Sequence, residues 1–403
     1  MRPFDARGAS QRTASTLVAW WIATFSSACS EPLATATGTL GLDLVYGADD
    51  RRDVYATERE LFRALALESA VALIAESSLE RRSDGGFDVV AEALGDFANL
   101  CASEAFREQP TAALCSGVLV DESLVLTAAH CASSVATCAD QRWVFGYAVR
   151  AEGESSIVVQ DDDIYRCRSV PVSRRETSAD GRRWDYALVE LDRPVSRPRR
   201  PAKLATADVA TGDTMTVIGY PNGLPAKVAS AGVVLDDRSG CRDYFTLDSD
   251  TFDGNSGSGV FDERGEVAGV FTRGADDYEY RAEEGCFVVR RLESPPEPAH
   301  GEQAGHFAPA IAEWCASGAG GPLCSHVEAA DSPIDSQSCS ARLRAESPAG
   351  AGCTIGTKLG ASSAWRCALS FAGSYVLLAM RRRSRRVLVR KNDDRRERST
   401  LAT

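Results

Sequence analysis

The sequence predicts a mainly β fold, a barrel or sandwich of short strands closed by a short helix. Two observations carry this reading. Short apolar runs recur through the middle of the chain, and Asp, Gly, Ser and Glu separate them. Residues 117–120 and 124–127 are two such runs, divided by the turn residues Asp121, Glu122 and Ser123. Residues 186–191, 215–219, 231–235 and 265–271 have the same character, and residues 259–262 lead into a polar turn through Glu263 and Arg264. Residues 58–66 show helical spacing, so the fold is not wholly β. A short helix is expected over 309–314. Before it, residues 292–305, with Pro295, Pro296 and Pro298, read as an irregular surface segment.

Both ends of the chain read as targeting segments. Arg2, Arg7 and Arg12 precede a short apolar core at 17–28, too short to span a bilayer and ending in small residues, which is the pattern of an export signal. Cys29 follows directly and is a candidate for lipid attachment, although Ser26 stands where a lipoprotein signal carries a large aliphatic residue. Near the other end, Gly352-Cys353 precedes an apolar run at 367–380 and then Arg381, Arg382, Arg383, Arg385 and Arg386. A short apolar stretch with a basic flank is a stop-transfer or sorting pattern. This tail resembles the myxobacterial C-terminal sorting signal, which implies attachment to the cell surface through processing near Cys353. Between the ends, the expected organisation is a signal at 1–28, a tether at 29–40, a catalytic body at 41–317, a flexible linker rich in Gly, Ala, Ser and Pro at 318–352, and the tail at 353–403.

From Arg381 onward the chain holds ten basic and three acidic residues, so the remainder carries −19 against a total of −12. A body this acidic repels nucleic acid, which is excluded as a partner. Thirteen cysteines suit an oxidising compartment. No C-x-x-C pair and no histidine cluster accompany them, so neither a metal site nor a cofactor is expected.

Three residues carry the chemistry. His130 ends the apolar run of Leu126-Thr127-Ala128-Ala129-His130-Cys131, where a strand end holds a general base rigidly. The other histidines, His300, His306 and His326, lie late in proline- or glycine-rich sequence. Ser256 sits in Asp253-Gly254-Asn255-Ser256-Gly257-Ser258-Gly259, where flanking glycines permit the tight turn that a nucleophilic serine needs. Asp185 opens the apolar run Tyr186-Ala187-Leu188-Val189, an expensive place for a carboxylate without a partner. The chain order His, Asp, Ser is a known order for a catalytic triad.

On these residues the sequence resembles the trypsin-like serine proteases, and most closely their bacterial glutamyl-endopeptidase branch. Cys115-Ser116-Gly117 through His130-Cys131, Asp185-Tyr186-Ala187-Leu188 and Gly254-Asn255-Ser256-Gly257-Ser258 carry the likeness, with Tyr46-Gly47 to Val54-Tyr55 resembling the N-terminal segment of a bacterial subgroup. The resemblance implies a chymotrypsin-like double six-stranded antiparallel β-barrel with a short C-terminal helix and a site between the barrels. It makes Ser256 the nucleophile, His130 the base and Asp185 its orienting carboxylate. The Gly254 and Ser256 N–H groups form the oxyanion hole, and Cys115 is bridged to Cys131. Protein or peptide substrates follow, with the membrane or cell envelope as the second partner through the terminal segments.

Two departures stand out. Gly259 replaces the proline that usually follows Gly-Asn-Ser-Gly-Ser, and is expected to loosen the next strand. Asn255 replaces the aspartate that receives a new N-terminus in trypsin, which argues against that route of activation. For specificity, the resemblance aligns Asp250 with the base of the trypsin pocket, implying cleavage after Arg or Lys. Phe271 stands where glutamyl endopeptidases carry a histidine. Arg273, two residues on, either binds an acidic substrate residue or neutralises Asp250. A catalytically silent protease-fold binding module and a structural surface anchor are the competing readings; the complete triad argues against both.

Overall fold

The computed structural model describes residues 45–154, 156–179, 181–274, 276–292, 301–325 and 336–346. In chain order the main elements begin with β1 (Arg52–Asp53), α1 (Glu60–Glu68), β2 (Ala70–Ala75), β3 (Ala113–Asp121), β4 (Leu124–Thr127) and β5 (Gln141–Phe145). Next come β6 (Ile164–Tyr165), β7 (Cys167–Thr177), β8 (Arg183–Leu191), β9 (Thr214–Gly219) and β10 (Lys227–Asp236). The last are β11 (Tyr244–Leu247), β12 (Gly259–Phe261), β13 (Val267–Arg273), β14 (Glu302–His306), α2 (Ala308–Ala316) and α3 (Ser336–Glu346).

These strands build two antiparallel sheets. The first runs β6-β5-β2-β3-β4-β8-β7. Its two edge strands are consecutive in the chain, separated by Arg166 alone, so the sheet has to curl until its edges meet. The second runs β9-β12-β13-β14-β11-β10-β1, and pairing of β9 with β10 closes six of its strands into a barrel. The architecture is the mainly β, chymotrypsin-like one that the resemblance implies. The second barrel is closed by hydrogen bonds, whereas the first is a half-barrel curled by its connectivity.

Inward-facing residues make the interiors. Trp143 fills the first barrel and meets Gly117, where an added Cβ would lie 2.8 Å from the indole. Phe245 and Phe261 are fully buried in the second. Helix α1 buries Phe62, Leu65 and Ala66 against β2, β9 and β10, at the seam between the sheets. Helix α2 follows the second barrel yet packs on β7 and β8 of the first, where Tyr186 donates to Glu313 (2.5 Å).

Two sequence expectations are corrected. The segment 292–305 is not irregular throughout, because Glu302–His306 is a central strand paired on both sides, to β11 and to β13. Its buried Glu302 accepts a hydrogen bond from Thr251 Oγ1 (2.7 Å), so a residue that reads as surface lies inside. The segment 318–352 is not a plain linker. Cys315–Cys324 pins its start, and α3 is bridged to the second barrel by Cys241–Cys339. Cys101–Cys286 and Cys138–Cys167 complete the disulfides among the described residues, together with Cys115–Cys131. No helix among these residues is long and apolar enough to cross a membrane. Cys29, Cys353 and the rest of the signal, tether and tail lie outside the described residues.

Candidate active site

Strand register brings the first two candidate residues together. Ala187 of β8 pairs with Thr127 of β4, so Asp185, two residues earlier, faces the chain just past the end of β4, where His130 stands. Asp185 Oδ2 lies 2.8 Å from His130 Nδ1, and Oδ1 accepts the His130 backbone N–H at 3.1 Å. One carboxylate thus fixes both the ring and the backbone of the histidine. The side chains are 24% and 22% exposed, which leaves the ring accessible from the cleft. With Nδ1 engaged, Nε2 is the nitrogen left to exchange a proton with a reacting group. Sequence reasoning missed Arg175, which pairs with Asp185 in the ladder and brings Nε to 3.8 Å from Oδ2.

Ser256 lies in the turn between β11 and β12. Its carbonyl accepts the Ser116 N–H (2.8 Å) and touches Cys131 Sγ at 3.5 Å. Cys131 follows His130 directly and is bridged to Cys115, which precedes Ser116. The disulfide and the Ser116 N–H therefore fasten the serine turn of one barrel beside the histidine of the other. Ser116, fully buried, does more. Its Oγ donates to the Gly254 carbonyl (2.7 Å) and accepts the Tyr220 N–H (3.0 Å). A polar residue inside an apolar strand was the available signal for this role.

The turn needs its glycines. Gly254 and Gly257 have φ of +91° and +87°. A Cβ on Gly254 would lie 2.6 Å from the Tyr220 carbonyl, and one on Gly257 would lie 2.1 Å from the Ser116 carbonyl. Within the turn, the N–H groups of Asn255, Gly257 and Ser258 go to the carbonyls of Phe252, Phe271 and Asn255. The N–H groups of Gly254 and Ser256 have no acceptor among the described residues. Two uncommitted N–H groups beside a serine are what a developing oxyanion requires. Gly259 pairs with Ile218 and Val270, so the strand after the turn forms without the usual proline. Asn255 is buried and spends its Oδ1 on Ser258 Oγ (3.0 Å).

The specificity candidates are dispersed. Asp250 is buried, with the Asp50 N–H on its Oδ2 (2.8 Å). Phe271 is buried, and its backbone holds the serine turn. Arg273 is exposed at the end of β13 and makes no ion pair with Asp250. It lines a recess beside Asp185 together with Arg175, Trp184, Tyr244 and Gln303. Asp277 lies beneath the turn and accepts the Asp253 N–H (3.1 Å). Burial, and then the neighbouring Asp253 charge, push its carboxyl up to about 8.

Residues 115–270, which include all three candidate residues, match the family model of the trypsin-like peptidase domain. This part of the chain is a domain of the serine-type peptidases, a class of hydrolases. Among solved structures, a Glu endopeptidase is 15% identical, with 68% of this chain and 99% of that one covered and a TM-score of 0.38. The Rv3671c protease from M. tuberculosis H37Rv is 18% identical over 69% and 100%, with a TM-score of 0.34. Kallikrein-related peptidase 10 is 19% identical over 51% and 91%, also at 0.34. No curated protein sequence matches this one.

Proposed function

We propose that this protein is a serine endopeptidase whose nucleophile is Ser256. The observation that carries the reading is the Asp185 carboxylate holding His130 by both ring and backbone, at the wall where the Ser256 turn is fastened. Ser256 Oγ attacks the substrate carbonyl while its proton passes to His130 Nε2. Asp185 stabilises the imidazolium that results. The tetrahedral oxyanion takes the N–H groups of Gly254 and Ser256. Its collapse expels the amine, which leaves with the proton from His130, and an acyl-enzyme remains. Water then repeats the sequence, so that an acid is released and Ser256 is restored.

The natural site of action is outside the cytosol, in keeping with five disulfides among the described residues. Attachment to the envelope through the terminal segments completes the reading. Peptide-library cleavage by wild type and by Ser256→Ala tests the activity. Wild type is expected to give a defined set of cuts and the variant none. Equal turnover by the two would remove Ser256 from the mechanism.

A further inference from the structure

The serine turn has a second support, and it comes from far away in sequence. The segment before α1 is built into the closed barrel. Arg52 and Asp53 pair with Val228 and Lys227 of β10, and Asp50 Oδ2 accepts the N–H groups of Ser230 (2.8 Å) and Ala231 (2.7 Å). From this anchored position the Asp50 N–H reaches Asp250. Arg51 turns inward, where its side chain is 2% exposed. Asp49 grips the guanidinium by Nε (2.9 Å) and Nη2 (2.7 Å). The guanidinium carbon lies 3.7 Å from the centre of the Phe252 ring, and Phe106 lies near it at 5.2 Å.

Phe252 is not a passive core residue. Its carbonyl accepts the Asn255 N–H (2.9 Å), the bond that closes the turn immediately before Ser256. A fixed cation stacked on a buried ring holds that ring in one place. Contacts therefore run without a break from β10 through Asp50 and Arg51 to Asp250 and Phe252, then to Asn255 and the uncommitted N–H groups on either side of it.

We propose that Asp49, Asp50 and Arg51 are positioning residues for the Ser256 turn, with the Arg51 guanidinium holding Phe252 so that the Gly254 and Ser256 N–H groups stay aimed at the oxyanion. This rests on the peptidase reading above and adds to it the part of the chain that sets the oxyanion hole. Because the brace is an internal side chain, it needs no free amine, and Asn255 stays committed to Ser258. Any trimming of the N-terminal region that preserves activity has to leave Asp49 in the mature chain.

The test compares wild type with Arg51→Ala and Phe252→Leu. The second variant removes the stacked ring without unpairing the buried Asp49, so it remains informative where the first does not fold. Two rates are read on folded protein: labelling by a peptidyl phosphonate, and peptide cleavage resolved into kcat and KM. Displacement of an oxyanion donor by about 1 Å costs about 10²-fold in rate. The expectation is a loss of that order in kcat for either variant, with KM within about threefold of wild type and at least tenfold recovery of Arg51→Ala by added guanidinium ion. A merely structural role would give neither the kcat-selective loss nor the rescue. An active wild type whose folded variants keep kcat within about twofold overturns this proposal alone. A wild type that neither labels nor cleaves overturns the peptidase reading on which it stands.

Discussion

At the scale of single residues, the proposed chemistry depends on groups that serve two partners at once. Asp185 holds the ring and the backbone of His130, so removing its charge disturbs both tautomer and position. Asp185→Asn is expected to lower kcat by about 10⁴-fold with the fold intact, read as steady-state turnover. Ser258→Ala should cost far less activity, because Ser258 Oγ binds Asn255 inside the turn rather than substrate; about 1 kcal/mol of stability is the expected loss in denaturant titration. Asp277 gives a stability signature. Its folded value, raised to about 8, lies above the unfolded one, so native protein holds a proton there that unfolded chain has released. Its contribution is present at about pH 4 and is lost as pH rises to about 8. Asp277→Asn keeps an acceptor for the Asp253 N–H, and should gain melting temperature relative to wild type as pH rises through that window. A constant difference between the two across that window would mean that native Asp277 is ionised throughout. His130 and Asp185 were legible as polar residues at the ends of apolar runs, and Ser256 through the glycines that flank it. Arg51 and Asp277 were not, since nothing local to a charged residue near a turn announces burial against the Phe252 ring, 201 residues from Arg51, or beneath the Asp253 N–H, 24 residues from Asp277.

At the scale of elements, the strands with apolar runs were legible and those built on other chemistry were not. β3, β4, β8 and β13 follow the runs read from sequence. β14 has the sequence Glu-Gln-Ala-Gly-His, without alternation, and it becomes a strand because β11 and β13 both need an antiparallel neighbour. Its last residue, His306, packs at a tilt against Phe245 (ring centres 5.2 Å apart), and burial holds its imidazole down to about 4. Unfolded histidine takes its proton first on acidification, so this strand should lose stability between about pH 6.5 and 4, a slope that His306→Phe should flatten in melting curves. Cys115–Cys131 joins β3 to the segment after β4 across a separation of 16 residues. Replacing both cysteines by Ser should cost about 3 kcal/mol in equilibrium unfolding, the chain-entropy value for a loop of this size. An unchanged unfolding midpoint would show that the Ser116 N–H bond to Ser256 already suffices.

At the scale of the whole molecule, the candidate site lies at the seam between the barrels. One barrel carries His130 and Asp185, the other carries Ser256, and neither makes a site alone. Fasteners cross between them: Ser116 to the serine turn, Tyr147 OH to the Gly223 carbonyl (3.2 Å), and α2 of the later barrel on strands of the earlier one. The sequence showed three motifs in order but not what holds them together, because fasteners between barrels are long-range pairings with no local pattern. The most direct test of this arrangement is covalent labelling. A fluorophosphonate should modify wild type at one position, located by peptide mass spectrometry as Ser256, and should leave Ser256→Ala unmodified. Labelling should also fall steeply in His130→Ala, since the serine then loses its base. Folded wild-type protein that stays unlabelled, or that carries the adduct on another residue, would contradict the account.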